Sequence, residues 1–412
     1  MFAWGANSHG QLGTGDDKDV YEPKIISFSE PITLITGGGG HSMISNENNI
    51  FSCGLNSVGQ LGRSNDRKYF ELIPFSFPST VSIVSCGWDF SVAVLNDGSV
   101  FAWGSNAYGQ LGNKNVNSSI VPVRVDIEPV RSISAGLRHV VSVTVSGKLF
   151  GWGSNRRKQL FLDKVLDKAE DYDDSKEICY RPTVLNSVLG GTYECIDCAA
   201  GAYHSVIKTR TNQLALLGDT RFFRNKDVVH DPSDNRSRFS SPIWYGSELF
   251  DNNEIEQVVC GWSHVLVRTS VGEVYSWGRS DFGQLGRAVN ELSELSEKSD
   301  EKFSNFDTHP GKVHFHTNTD HEVAIKTIAC GSEHSLAIDS NGQLWVWGWN
   351  EHGMCGVLTK IASQMEKNES QEQFIPFITR PYQVKFQCVN RSYEVKHIGC
   401  GYGHSMAYVE FS

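Results

Sequence analysis

Apolar residues alternate along the chain in short runs that turn back at Asp-Gly and Asn-Gly pairs. Ser91-Val92-Ala93-Val94-Leu95-Asn96-Asp97-Gly98-Ser99-Val100-Phe101 is one such run, and Ser340-Asn341-Gly342-Gln343 marks the turn of another. Both predict β-hairpins, because these pairs accept the positive φ angles of a tight turn. Each hairpin is framed by two recurring elements. One reads Phe2-Ala3-Trp4-Gly5-Ala6-Asn7-Ser8-His9-Gly10-Gln11-Leu12-Gly13 and returns at residues 51–62, 101–112, 150–161, 275–286 and 345–356, with a degraded copy at Ala215-Leu216-Leu217-Gly218. The other is Gly-x-x-His, ending at His41, His139, His204, His264, His334 and His404; a seventh copy, Gly87-Trp88-Asp89-Phe90, carries phenylalanine instead.

The spacing separates a fixed part from a variable one. From the His position to the next Trp-Gly glycine there are 13 residues once and 14 in the other five cases. From that glycine to the next His position there are 36, 36, 35, 51, 46, 56 and 56 residues, so every insertion falls in this second interval. A rigid hairpin plus a Pro-containing entry strand and a strand into the Gly-x-x-His corner gives four strands per unit. Seven units predict an all-β, seven-bladed β-propeller of four-stranded blades, occupying 1–412 as a single domain. The chain starts inside a Phe-x-Trp-Gly strand and ends on its hairpin partner, so pairing the N-terminal with the C-terminal strand closes the ring and leaves no open sheet edge.

Composition narrows the function. Glycine is abundant at 39 residues, no window approaches the roughly 20 apolar residues of a membrane span, and Met1 runs into Phe2 without a basic or apolar leader pattern. A soluble, intracellular chain with no membrane insertion is expected. The net charge of -10 argues against binding nucleic acid. Four of the ten cysteines (Cys86, Cys260, Cys330, Cys400) sit just before a corner glycine and read as small buried thiols. Cys195 and Cys198 alone have metal spacing and lack two further ligands at similar spacing, so core packing is expected, with no metal and no cofactor.

The paired elements resemble the repeats of the chromosome-condensation-regulator family of propellers, whose founding member is a guanine nucleotide exchange factor for a small GTPase. Trp347-Gly348-Trp349-Asn350-Glu351-His352-Gly353-Met354-Cys355-Gly356, with Thr36-Gly37-Gly38-Gly39-Gly40-His41-Ser42 and Cys330-Gly331-Ser332-Glu333-His334, is similar to one branch, the secretion-regulating guanine nucleotide exchange factors. The resemblance covers essentially the whole chain. It departs from the pattern at Leu217-Gly218, and at Phe161, which replaces the last glycine of its copy.

The repeated histidines and the tryptophans Trp4, Trp103, Trp152, Trp277 and Trp347 are read as structural, the rings wedged between blades with Cys53 and Leu217 as smaller substitutes. Residues inside the corners vary while the frame stays fixed, which is the layout of a binding face. The resemblance implies that Asp89, Arg138 and Glu333 contact a GTPase. Trp88, Tyr203, Trp262 and Tyr402 would be aromatic anchors; the alternative is that they pack across the mouth of the ring. Four insertions, roughly 157–179, 219–240, 287–311 and 357–373, are charged or Ser-rich and read as solvated loops, one of which could act as a wedge against a partner.

No nucleophile elbow, phosphate loop or zinc quartet is present in the sequence, so no bond-making catalytic residue is assigned. The expected function is that of an exchange-factor-like propeller that binds a small GTPase, promotes GDP release and has a link to secretion. It is expected as a monomer in the cytoplasm, with the nucleus also open to it. The competing class is a non-catalytic interaction scaffold of the same fold.

Overall fold

The computed structural model describes residues 1–28, 30–46, 49–63, 68–162, 171–190, 193–223, 242–287, 306–316, 322–360, 372–373, 375–386 and 392–411. Seven antiparallel sheets form the ring. Blade 1 runs from its inner strand Leu34–Gly37 through His41–Ser45 and Asn49–Leu55 to the outer strand Lys68–Ser76. Blades 2 to 6 repeat the plan from inner strands Val81–Cys86, Val130–Ala135, Cys195–Ala200, Ile255–Cys260 and Ile325–Cys330. Blade 3 gains a fifth strand, Tyr172–Asp173, laid along its outer strand Ile178–Val184. Blade 7 joins the two ends of the chain: Tyr393–Cys400 and His404–Phe411 pair onward to Phe2–Gly5 and Val20–Ile25, with Phe2 opposite Ala407 and Gly5 opposite His404.

A propeller has no single core. The buried apolar residues fall into seven clusters, one in each seam between neighbouring blades. The tryptophan of each third strand reaches into the seam with the preceding blade: Trp103 joins Met43 and Ile50 of blade 1, and Trp152 joins Val92 and Val100 of blade 2. All five of these indoles are fully buried. Trp103, Trp152 and Trp347 donate Nε1–H to the main-chain carbonyls of Gln60, Gln110 and Gln284 on the preceding blade, and Trp4 donates to Met354. The Gly-Gln-Leu-Gly turn therefore recurs because its carbonyl receives the next blade's indole. Its asparagine holds the turn shut, Asn7, Asn56, Asn106 and Asn155 each accepting from the amide five residues on.

The glycine after tryptophan survives in all seven units for one reason. Its φ lies near +100°, and a Cβ there would sit within 2.7 Å of the carbonyl oxygen of the residue just before the His position. That carbonyl accepts the next amide of the third strand in every blade, from Ala6 to Gly403 through Trp349 to Glu333. Even where tryptophan is lost, at Leu217, the glycine remains.

Histidines tie the seams on the same side. Nε2 of His41, His139, His264, His334 and His404 lies 2.6 to 3.0 Å from a serine hydroxyl of the next blade (Ser91, Ser205, Ser335, Ser405, Ser42). Ser42, Ser91, Ser205 and Ser405 spend their own proton on a main-chain carbonyl, so the imidazole must supply its Nε2–H. Nδ1 of these five rings is buried without a partner, which fixes them as neutral. Burial pushes their pKa down to about 3. Where the histidine is Phe90, the serine's counterpart is Val140, so both polar groups are absent together and the rings of that seam pack dry.

Candidate functional site

Each Gly-x-x-His corner joins an inner strand to the second strand, and each insertion joins the third strand to the outer one. Both connections leave the sheet at the same end, where the His position pairs with the Trp-Gly glycine. All seven corners and all four insertions therefore share one face of the ring. The interiors of those insertions, 163–170, 224–241, 288–305 and 361–371, lie outside the described residues.

The corners are linked to one another around the axis. Tyr402 N–H donates to Gly38, Gly39 to Trp88, Trp88 to Leu137, Ala202 to Trp262, Trp262 to Ser332 and Ser332 to Tyr402, a belt covering six of the seven neighbour pairs. This belt aims the corner side chains. Trp88, Trp262 and Tyr402, from blades 2, 5 and 7, meet over the axis: Trp88 stacks on Tyr402 at 5.7 Å, Trp262 stands edge-on to Tyr402 at 5.4 Å, and the two indoles are 6.0 Å apart. Trp262 and Tyr402 line a central cavity of about 500 Å³ between the inner strands, together with Cys86, Cys260, Cys330 and Cys400, and Trp88 rests against these two rings. Trp88 stays 42% exposed. The two readings of the aromatic corners thus meet in one group that packs across the mouth and still offers an indole to solvent.

The polar candidates separate. Glu333 is only 4% exposed, and its carboxylate accepts from Ser263 Oγ and Gln284 Nε2, each at 2.7 Å, with Arg279 at 3.6 Å. Burial pushes its pKa up to about 7 against those bonds. It braces blade 5 against blade 6 and presents no free oxygen on the face. Asp89 is half-buried; burial raises its pKa, while Ser105, Gln110 and the charge of Arg138 oppose the rise. Arg138 lies over the Tyr108 ring at 4.2 Å, and Tyr203 receives Arg157 at 5.7 Å. Farther round, Arg279 stacks on Phe282 at 4.5 Å, and Phe282 on Trp349 at 5.5 Å.

Cys195 and Cys198 are buried thiols of blade 4, Cys198 lying 3.5 Å from Ser132. Among the described residues no three His, Cys, Asp or Glu side chains are placed to hold a metal ion, and no helix is long and apolar enough to cross a membrane.

A model of the RCC1-like domain matches residues 1–407 of this repeat array. The chain belongs to the RCC1-like family. Secretion-regulating guanine nucleotide exchange factors from Bos taurus and Mus musculus are each 33% identical to it over 99% of its length, spanning 82% and 83% of those proteins. Among solved RCC1-like folds, Prp20p of Saccharomyces cerevisiae superposes with a TM-score of 0.77 at 23% identity, over 98% of this chain and 90% of that one. Human WBSCR16 gives 0.75 at 21% identity over 99% of both chains.

Two parts of this RCC1-like face escape a search of the corners alone. Tyr108 and Phe282 each precede the Gly-Gln-Leu-Gly turn, in blades 2 and 5, and His9, Val58, Arg157 and His352 stand in the same slot of other blades. That variation within a fixed frame is the signal that could have found them, by the same logic as the corners.

Proposed function

We propose that this protein binds a small GTPase on the corner face and promotes GDP release, as an exchange-factor-like propeller working in the cytoplasm with a link to secretion. The observation that carries the reading is the capped face itself: a rigid belt of corners holding the exposed Trp88 over Trp262 and Tyr402, with cation–aromatic pairs around it. Exposed aromatics and arginines on a preorganised frame are the residue types that dominate interface energetics. The 33% identity to named secretion-regulating exchange factors supports the choice of partner class.

Exchange needs no covalent step. The propeller must bind the nucleotide-free GTPase more tightly than the nucleotide-bound one, and the release of GDP is driven by that difference. Trp88 and its aromatic neighbours are assigned as anchors, with Asp89, Arg138 and Tyr203 as rim contacts. Glu333 is assigned to hold Ser263 and Gln284 in place. The test is a pulldown from cytosol on the purified chain, with EDTA to strip nucleotide and again with Mg²⁺ plus excess GTP or GDP. A GTPase retained only in EDTA is expected; non-GTPase proteins alone, or equal retention in Mg²⁺ and GTP, would move the chain to the scaffold class.

A further inference from the structure

The arginines of the corner face divide into two sets. On blades 4 and 5, Arg221 pairs with Asp219 at 2.8 Å, Arg279 with Asp281 at 2.7 Å and Arg287 with Asp307 at 2.8 Å. On blade 3, Arg138, Arg156 and Arg157 have no carboxylate within ion-pair distance among the described residues. Their guanidinium groups lie on rings instead: Arg138 and Arg156 over Tyr108 at 4.2 and 5.6 Å, and Arg157 over Tyr203 at 5.7 Å. An arginine stacked on an aromatic face is held in place yet keeps its in-plane N–H donors available. Arg156 spends one of them on the carbonyl of Lys176, and the charge of Arg138 is felt by Asp89 without a direct bond.

Three acids described on the same blade already hold other cations. Asp171 is shared by Lys114 and Arg181, at 2.9 and 2.7 Å, and Asp173 is taken by Lys176. Glu177 is taken by Lys158, the residue following the two arginines. A lysine thus absorbs that carboxylate, and among the described residues no acid pairs with either arginine. The turn that carries them is also strained. Lys158 and Phe161 occupy two positions that other blades fill with glycine, at φ of 58° and 54°, and the repeat's hydrogen bonds persist at 2.8 and 3.0 Å. Non-glycine residues held at positive φ cost energy and persist only where the surroundings enforce them, which is common at functional turns.

We propose that Arg138, Arg156 and Arg157, set on Tyr108 and Tyr203, form a docking patch for a short acidic polypeptide segment of the bound partner. The chemistry fits carboxylates: three planar guanidinium groups with open forks, spread over the blade 3 sector of the face. A long polyanion is disfavoured because the chain carries a net charge of -10, so an extended phosphate backbone would leave the patch and meet like charge. The inference deepens the reading of this face as the partner-binding one.

The test uses the full chain and a fluorescein-labelled hexaglutamate peptide, followed by fluorescence anisotropy at 20 and 150 mM NaCl. No GTPase is present, so failure here leaves the exchange reading standing on its own pulldown. Wild-type protein is expected to bind the peptide, more weakly at the higher salt. R138Q/R156Q/R157Q should weaken binding at least tenfold at 20 mM NaCl. The charge-matched R124Q/R131Q/R380Q, which changes exposed arginines away from the patch, should stay within twofold. If the first triple variant fails to fold, R156Q/R157Q, both exposed, takes its place with a loss of at least fourfold expected. Absent peptide binding by the wild type, or equal losses in patch and control variants, would overturn the proposal. Equal or tighter binding of a labelled six-nucleotide oligothymidine would replace it with a general polyanion site.

Discussion

Acidification from pH 7.5 to 5.5 should cost this propeller much of its stability, through the histidines buried in its seams. His41, His139, His264, His334 and His404 are held neutral with pKa near 3, and His204 near 4. The folded values lie below the unfolded one, so the unfolded chain binds more protons and stability falls as the pH drops below about 6.5. At pH 5.5 each unfolded histidine is about nine-tenths protonated, and each contributes a loss of a little over 1 kcal/mol, or roughly 8 kcal/mol for the set. Glu333 works the other way. Its folded pKa is raised to about 7, so its contribution is largest in acid and disappears as the pH rises through 7; it returns about 2 kcal/mol over this interval. The net expected loss is about 6 kcal/mol, with uptake of about five protons on unfolding at pH 5.5. Urea unfolding at constant ionic strength across this range reads both quantities, provided the denaturant slope stays constant. A built-in control comes from the Phe90 and Val140 seam: H264F/S335V copies it and should lower the proton uptake by one. Stability equal within about 1 kcal/mol at the two pH values, or an uptake unchanged in the double variant, would refute the assignment of neutral buried rings.

Other outcomes follow from the same contacts. Glu333→Lys should destabilise the chain by about 3–5 kcal/mol, because it buries an unpaired cation beside Arg279, whereas Glu333→Gln should leave the thermal midpoint at pH 8.5 unchanged or higher. Trp103→Ala or Trp347→Ala should each cost about 3–5 kcal/mol in urea unfolding, since each empties a seam, and Trp347→Ala also takes the indole donor from the Gln284 carbonyl. The thiols of Cys53 and Cys86 are pushed up to about 12 by burial, and those of Cys198, Cys260, Cys330, Cys355 and Cys400 are raised as well. Labelling of Cys53 and Cys355, which are fully buried away from the central cavity, by a thiol reagent at pH 8 should therefore track global unfolding. Trp88→Ala should abolish partner capture and move the thermal midpoint by less than 2 °C, given the indole's exposure.

The ring was legible in the sequence because its repeat is written in glycines whose freedom nothing else replaces. The glycine following Trp4, Trp103 or even Leu217 faces a carbonyl at a distance no Cβ tolerates, so its spacing survives where the tryptophan does not. Closure was legible for a similar reason, since Phe2–Gly5 lacks a hairpin partner until His404–Phe411 supplies it. The candidate face was legible only as a set of variable slots. Spacing says that Trp88, Trp262 and Tyr402 stand in different blades; it does not say that all three reach the axis and touch. It gives the position of Glu333 but not that Ser263, Gln284 and Arg279 enclose it. Those outcomes depend on side-chain reach across the ring, which a one-dimensional repeat does not encode.

The degraded fourth unit shows what the lost motif did. With the Gly-Gln-Leu-Gly turn gone, Trp277 Nε1 has no acceptor, and His204 Nε2, which faces Val265 where five other seams place serine, has none either. Phe223 packs against the imidazole at 4.8 Å and Tyr245 against the indole at 5.0 Å, so the seam is filled by rings in place of hydrogen bonds.

The decisive measurement is the release of a fluorescent GDP analogue from the GTPase captured in EDTA, with Mg²⁺ present and the propeller at substoichiometric concentration. Release accelerated at least a hundredfold by the wild type and lost in Trp88→Ala is the expected result. A captured GTPase whose release rate does not change with added propeller would contradict exchange activity and leave a scaffold of the same fold.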